Sequence, residues 1–236
     1  NVLMKDSGYF ASSPNYLYAT KTRLSYKYRY RLDMRLPNTN KYVNAISNVS
    51  DSIRLYSPVS LLVRPAAMEI FIDKNVVISF QSPLNSKIYD GFFFFNYLEV
   101  NKADTNIKVV KSVKWRLFNK LRADNDQAPQ SFTLRIAGTL FYDLLLAQIP
   151  VNSSVERRFL PCNVEITAGN LELDNYIQAT EPSIGIVKKQ TDSTNINNGI
   201  GIFASRRLTS YNNVLLGTTT KATLLAGDFK KLGFVN

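Results

Sequence analysis

Leu24, Tyr26, Tyr28, Tyr30, Leu32, Met34 and Leu36 alternate without a break with Ser25, Lys27, Arg29, Arg31, Asp33 and Arg35. Side chains of a strand point to opposite faces with a period of two, so Leu24–Leu36 reads as one long, half-buried strand. Its apolar face is aromatic and suits the inner layer of a sheet packed on another sheet. Its opposite face is a ladder of cations that must meet water or an acidic partner. Lys27, Arg29, Arg31 and Arg35 are therefore the candidate partner-binding residues.

Val2–Met4 and Leu17-Tyr18-Ala19 are short extended pieces. Pro37-Asn38-Thr39-Asn40 is a polar turn, and Tyr42–Ile46 reads as the returning strand of a hairpin. Ile53–Tyr56 is extended, and the stretch from Ser57-Pro58 to Arg64-Pro65 reads as a junction. Beyond it, Met68–Ile72 and Val76-x-Ile78-x-Phe80 are strands. Phe92–Val100, with four consecutive Phe, is the candidate central strand, both faces of which need cover. Val109-Val110, Val113–Phe118 and Asn163–Ala168 supply more. Phe132–Ile149 is the segment where a helix is plausible, with Phe132-x-Leu134-x-Ile136 readable as a strand, Gly138 at the transition and Pro150 as the stop. Leu171–Ala179 is ambiguous. Ile184–Val187 reads as extended, and Asn198-Gly199 as a turn that leads into a strand at Ile200-x-Ile202. The remainder is expected to be a peripheral tail.

Composition narrows the chemistry. Histidine is absent from the 236 residues, which removes Ser-His-Asp and Cys-His arrangements, imidazole bases and His-ligated zinc. The single cysteine, Cys162, excludes an internal disulfide and a Cys-cluster metal site, and is expected in the core. Gly199-Ile200-Gly201 lacks the third glycine of a dinucleotide loop, and no phosphate-binding or calcium-binding spacing occurs, so no cofactor or metal is expected. The net charge of +11 is spread along the chain in runs no longer than two. It permits attraction to nucleic acid, anionic glycans or acidic lipid head groups, but so dispersed it reads as a solubility feature rather than a binding site. No apolar run reaches the ~18–20 residues of a spanning helix. The chain opens inside what reads as a strand, with no initiator methionine, secretory signal or lipid-attachment cysteine. An earlier part of the protein is therefore expected to lie outside it.

Three ligand chemistries remain. A carboxylate hydrolase would draw on Asp73, Asp90, Glu99, Glu165, Glu172 and Asp174, two of which would have to stand ~5–9 Å apart. A glycan platform would first involve Trp115, although its place in Val113-x-Trp115-x-Leu117 suits a core position. A protein partner would meet the cation ladder.

Val76-x-Ile78-x-Phe80-x-x-Pro83 followed by Tyr89-x-x-x-Phe93-x-Phe95-x-Tyr97 resembles the second and third strands of a fibronectin type III-like sandwich. The order of the whole chain resembles a family of Bacteroidota cell-envelope lipoproteins. These carry an immunoglobulin-like unit, a fibronectin-like unit and a tail ending in a stretch that reads here Thr194-Asn195-Ile196-Asn197-Asn198-Gly199-Ile200-Gly201-Ile202-Phe203-Ala204-Ser205. Tyr30-Arg31-Leu32, Tyr42–Ile46 and Tyr56-Ser57-Pro58 are also similar. The resemblance implies an outer-membrane or cell-surface setting, a lipid anchor not present in this chain, and company with transport or secretion machinery. It brings no catalytic residues.

The resulting expectation is an all-β protein of two β-sandwich-like units with at most one or two short helices. Residues 1–64 would form an immunoglobulin-like sheet unit, incomplete by itself, and 65–236 a fibronectin type III-like sandwich with a C-terminal extension. The expected role is a non-enzymatic accessory or adhesive subunit that binds another outer-membrane protein, with an extracellular glycan-binding module as the alternative. Neither a cofactor nor nucleic acid is expected.

Overall fold

The computed structural model describes residues 2–4, 16–35, 41–58, 67–181 and 194–236. The polar turn at 37–40, most of the junction at 57–65 and the extended piece at 184–187 fall outside the described residues. The strands are β1 (Val2–Met4), β2 (Tyr16–Tyr18), β3 (Arg29–Arg35), β4 (Tyr42–Asn48), β5 (Arg54–Ser57), β6 (Ala67–Met68), β7 (Asn75–Gln81), β8 (Ile88–Asn101), β9 (Lys108–Arg122), β10 (Ser131–Ala137), β11 (Val155–Phe159), β12 (Cys162–Gly169), β13 (Arg206–Leu216) and β14 (Phe234–Val235). The helices are α1 (Thr139–Gln148), α2 (Leu171–Thr180) and α3 (Thr218–Leu224), with a 3₁₀ helix at Gly227–Leu232. Strand dominates, as the alternation predicts. The helical content exceeds the one or two short helices expected, because α3 and the 3₁₀ helix replace the peripheral tail.

β8 is central. β9 pairs antiparallel along its whole length on one side, while β12 and β11 pair antiparallel with its two halves on the other. β13 extends the sheet beyond β12, and β14 runs parallel to β11. A smaller antiparallel sheet, ordered β10-β7-β5, shares one core with this large sheet. Phe80 of β7 packs its ring 5.6 Å from Tyr89 and 5.4 Å from Phe118, and Phe132 of β10 lies 5.1 Å from Phe80. The other half of the same sheet face is covered by α1, whose Phe141 meets Phe93, Phe95 and Trp115 at 5.4–5.9 Å. Such ring pairs add about 0.5–1.5 kcal/mol each beyond area burial. The outward rings of β8 are covered more lightly. The Lys114 ammonium sits 3.8 Å over Phe92, and its stem shields the ring from water.

Gly138 marks the strand-to-helix transition as its position suggests. A Cβ there would lie 1.9 Å from the Phe71 carbonyl oxygen, so only glycine lets the two backbones approach. The strand expected at Met68–Ile72 stops at Met68. Glu69 turns aside to accept the Thr219 and Thr220 N–H groups at the start of α3 (3.3 and 3.1 Å), and the Ile70 N–H donates to the Thr220 hydroxyl at 2.7 Å. The C-terminal residues are not a peripheral tail. Val214, Leu216, Leu224, Leu232 and Phe234 are buried in the common core.

A division at 64/65 would cut one sheet in two. β5 pairs with β7, and Ile53 and Leu55 belong to the same core as Phe80 and Tyr89. Among the described residues, the pairs β1–β2 and β3–β4 are the sheets that stand apart from this body.

Arg157 of β11 is fully buried directly across from Glu99 of β8. Its guanidinium donates to Glu99 (2.8 Å), to the Pro150 carbonyl (2.9 Å) and to the Leu232 carbonyl, and Lys111 reaches the other Glu99 oxygen at 2.6 Å. Burial alone would push the Glu99 carboxyl up, but the hydrogen bonds from Lys111 and Arg157 outweigh it and hold the carboxyl below its ordinary value. A depressed folded-state pKa stabilises the fold above the unfolded value, about 4.3. That contribution is lost as pH falls through the folded value. Arg157→Ala is expected to destabilise the protein by about 3–5 kcal/mol, since it strips a buried carboxylate of one of its two cations and leaves the Pro150 and Leu232 carbonyls without their donor. Urea unfolding checks this, and a loss under about 1 kcal/mol would remove the pair from its structural role. Glu99→Gln should also flatten the decline in urea midpoint below about pH 4.3.

Candidate functional site

β3 and β4 form an antiparallel hairpin whose register runs from Arg29↔Asn48 to Arg35↔Tyr42. The strand begins at Arg29 rather than Leu24. Ser25 makes the Lys27 and Tyr28 N–H groups into a turn through its hydroxyl and carbonyl (both 3.3 Å), and β4 offers no residues beyond Asn48 for pairing. Lys27 therefore sits in a turn and not on the ladder with Arg29, Arg31 and Arg35.

The pleat separates two faces. Tyr30, Leu32 and Met34 share one with Ser47, Ala45 and Val43, of which the β4 residues are buried. The β3 residues are less covered than an inner layer requires. Tyr30 and Leu32 are half-buried and Met34 is exposed, as are Leu24, Tyr26 and Tyr28. The reason is that β4 seats the hairpin on the body, leaving β3 at an edge.

The other face carries the cations. Arg29, Arg31 and Arg35 are all exposed, and β4 adds Tyr42 opposite Arg35 and Ile46 opposite Arg31, 41% and 43% exposed. Arg31 donates to Asp33 at 2.8 Å and to the Tyr42 hydroxyl at 3.0 Å, and that hydroxyl bonds Asp33 in turn. The Tyr42 hydroxyl, with Arg31 beside it, holds the Asp33 carboxyl below the usual carboxylate range. Arg31 is thereby fixed in place. Among the described residues, Lys27, Arg29 and Arg35 form no salt bridge. The site thus brings together three of the four expected residues and adds Tyr42 and Ile46. Those two were legible only through the register, which places a β4 aromatic on the cation face.

The asparagine-rich stretch at 194–205 is what seats this hairpin. Asn197 exchanges both backbone hydrogen bonds with Asn44 (2.8 and 3.4 Å), and the Asn198 amide donates to the Tyr42 carbonyl at 3.1 Å. Asn195 closes a ring with the Phe203 backbone, accepting its N–H and donating to its carbonyl, both at 2.7 Å. These amides are occupied by backbone, so the stretch is a clasp. Asn198 takes the left-handed turn conformation (φ 59°). The strand expected at Ile200–Ile202 is absent, Ile200 stands 99% exposed, and β13 starts only at Arg206.

Asn170 joins clasp, hairpin and body. It is buried at the N-terminus of α2, where its Oδ1 accepts the Leu173 and Ser205 N–H groups (both 3.2 Å). Its Nδ2 donates to the Ser47 hydroxyl (2.7 Å) and the Asn48 carbonyl (3.1 Å). Every hydrogen-bonding position of the amide is filled.

The remaining candidates are dispersed. Trp115 is buried in the core, which removes it as a sugar platform. Cys162 is also buried, and burial pushes its thiol up to about 11. Asp174 is fully buried with Arg122 at 2.7 Å and Gln178 at 2.8 Å, and Asp90 accepts the Lys120 N–H at 2.9 Å. Glu165 lies on the outer sheet face beside Phe92, and Asp73 in the exposed turn before β7. Burial pushes the Glu172 carboxyl up at the start of α2, against its own backbone N–H; Asp126 adds to the rise and Arg29 opposes it. Among the described residues no cluster of three His, Cys, Asp or Glu is placed to hold a metal ion, and no helix is long and apolar enough to cross a membrane.

Asn170→Ala is expected to cost about 1–3 kcal/mol, by leaving buried partners unsatisfied. It should also raise hydrogen exchange across Tyr42–Asn48 ahead of β8. Unchanged protection of β4 would mean that the amide does not hold the hairpin. No protein-family model matches the chain, and no curated protein matches it.

Proposed function

We propose that the chain is a non-enzymatic binding subunit of the cell envelope that engages another outer-membrane protein through the cation face of the β3–β4 hairpin. One observation carries this reading: Arg29, Arg31, Arg35, Tyr42 and Ile46 are exposed together on a strand pair braced from behind by a saturated hydrogen-bond network. Arg and Tyr are the residues that most often anchor interfaces, and pre-ordering them lowers the entropy lost on binding. A non-enzymatic role is supported by Glu99 and Asp174, whose carboxylates are taken up inside the fold by Arg157 and Lys111 and by Arg122. The corresponding fold reading is a fibronectin type III-like sandwich from β5 onward, with the hairpin as the remnant of an immunoglobulin-like unit. The setting is the outer membrane or cell surface, through a lipid anchor outside this chain.

Reversing Arg29 and Arg35 together (R29E/R35E) leaves the internally bonded Arg31 intact. Recovery of the co-purifying envelope protein in a gentle-detergent pull-down at low salt is expected to fall at least about tenfold, and wild-type recovery to fall as salt rises. Equal recovery with the double variant at low salt would reject the hairpin as the interface.

A further inference from the structure

Two adjoining depressions of about 520 and 280 Å³ meet at Tyr26 and Asp51 and together form a groove between the turn preceding β3 and the body. Arg54 lines the larger part, and Arg23 and Arg207 the smaller. None of these three guanidiniums forms a salt bridge among the described residues. Asp51 is the one carboxylate in the lining, and it accepts the Ser52 N–H at 2.6 Å. The groove is therefore cationic, with planar donors left open for an incoming carboxylate.

Its aromatic surfaces are held in place. Tyr211 donates its hydroxyl to the Ile53 carbonyl at 2.8 Å and accepts the Leu55 N–H at 2.9 Å, which fixes the ring in the groove wall. Tyr26 is 37% exposed, on a turn braced by the Tyr30 hydroxyl, which accepts the Ser25 N–H at 2.6 Å. The same bonds close the edge of β5 to an extended peptide. The Ile53 carbonyl and Leu55 N–H are taken by Tyr211, and the Ile53 N–H by the Thr209 hydroxyl at 3.2 Å. Without those backbone groups, a peptide cannot add as a strand there.

We propose that this groove binds an acidic oligosaccharide, a run of uronic acid units. Tyr26 supplies the face on which a sugar ring stacks. Arg54 and Arg207 take the sugar carboxylates, and Gln81 in the lining offers an amide to hydroxyl groups. The site does not depend on the hairpin's protein partner, and R29E/R35E leaves its lining unchanged.

Isothermal titration of the full chain at about 0.15 M salt, where exposed charges are screened beyond about 8 Å, separates a built site from general attraction to a basic protein. The probes are oligogalacturonate, an uncharged oligosaccharide of equal length and polyglutamate. Oligogalacturonate is expected to bind more tightly than either of the others. Arg54→Ala should weaken it about tenfold, the scale of one charge-assisted hydrogen bond, and Tyr26→Ala, which removes the stacking face, should weaken it clearly; both positions are exposed. Lys108→Ala on β9 should leave binding unchanged. Absence of oligogalacturonate binding, equal binding of polyglutamate, or indifference to Tyr26→Ala would each overturn the assignment.

Discussion

The Asn170 side-chain amide is the point where three parts of the chain become one object. Both its hydrogens and both oxygen lone pairs are engaged inside the protein, with partners on β4, on α2 and on the clasp that ends at Ser205. A buried amide with four partners is favourable only while all four are present, because each unmatched group keeps its full desolvation penalty. The network therefore acts together. It caps α2, closes the end of β12 and holds β4 so that β3 can stand at an edge with its cations outward. The hairpin's own apolar residues could not do this, since those of β3 are half-exposed.

Much of this arrangement is legible in the chain. Period-two alternation locates β4, β7, β9 and β12, the unbroken aromatic run locates β8, and Gly138 and Pro150 stand one and two residues outside the ends of α1. The same rule overextended β3, because it reads side-chain polarity and not the supply of a partner strand. It also missed β11. Val155-Glu156-Arg157-Arg158-Phe159 puts an arginine at a core position, so a fully buried residue reads as a surface one. The clasp was visible only as a turn signal, since hydrogen bonds from asparagine amides to distant backbone leave no periodic trace. At the cation face the sequence supplied Arg29, Arg31 and Arg35, while Tyr42 and Ile46 required the register.

Two groups of arginines differ in what they meet. Arg157, Arg122 and Arg31 each meet a carboxylate within 2.8 Å and lock elements together. Arg29, Arg35, Arg23, Arg54 and Arg207 form no salt bridge among the described residues and lie on the hairpin or around the groove below it. Carboxylates are matched where the fold needs rigidity. Arg116 on β9 and Arg135 on β10 are also without a salt bridge among the described residues, so the unmatched guanidiniums on the hairpin and around the groove are a local grouping that adds to one positive field.

The clasp also sets an order of events. Asn44 and Asn197 are 153 residues apart, and the Asn170 bonds to Ser47 and Asn48 span 123 and 122 residues. The β3–β4 hairpin thus has no seat until the residues up to Ser205 have emerged. Closing so long a loop is entropically slow compared with forming the β8–β9 hairpin or α1. The body can assemble around its aromatic core first, and the cationic hairpin is seated last. A chain ending before Asn195 would carry the arginines of β3 without the clasp that seats their hairpin.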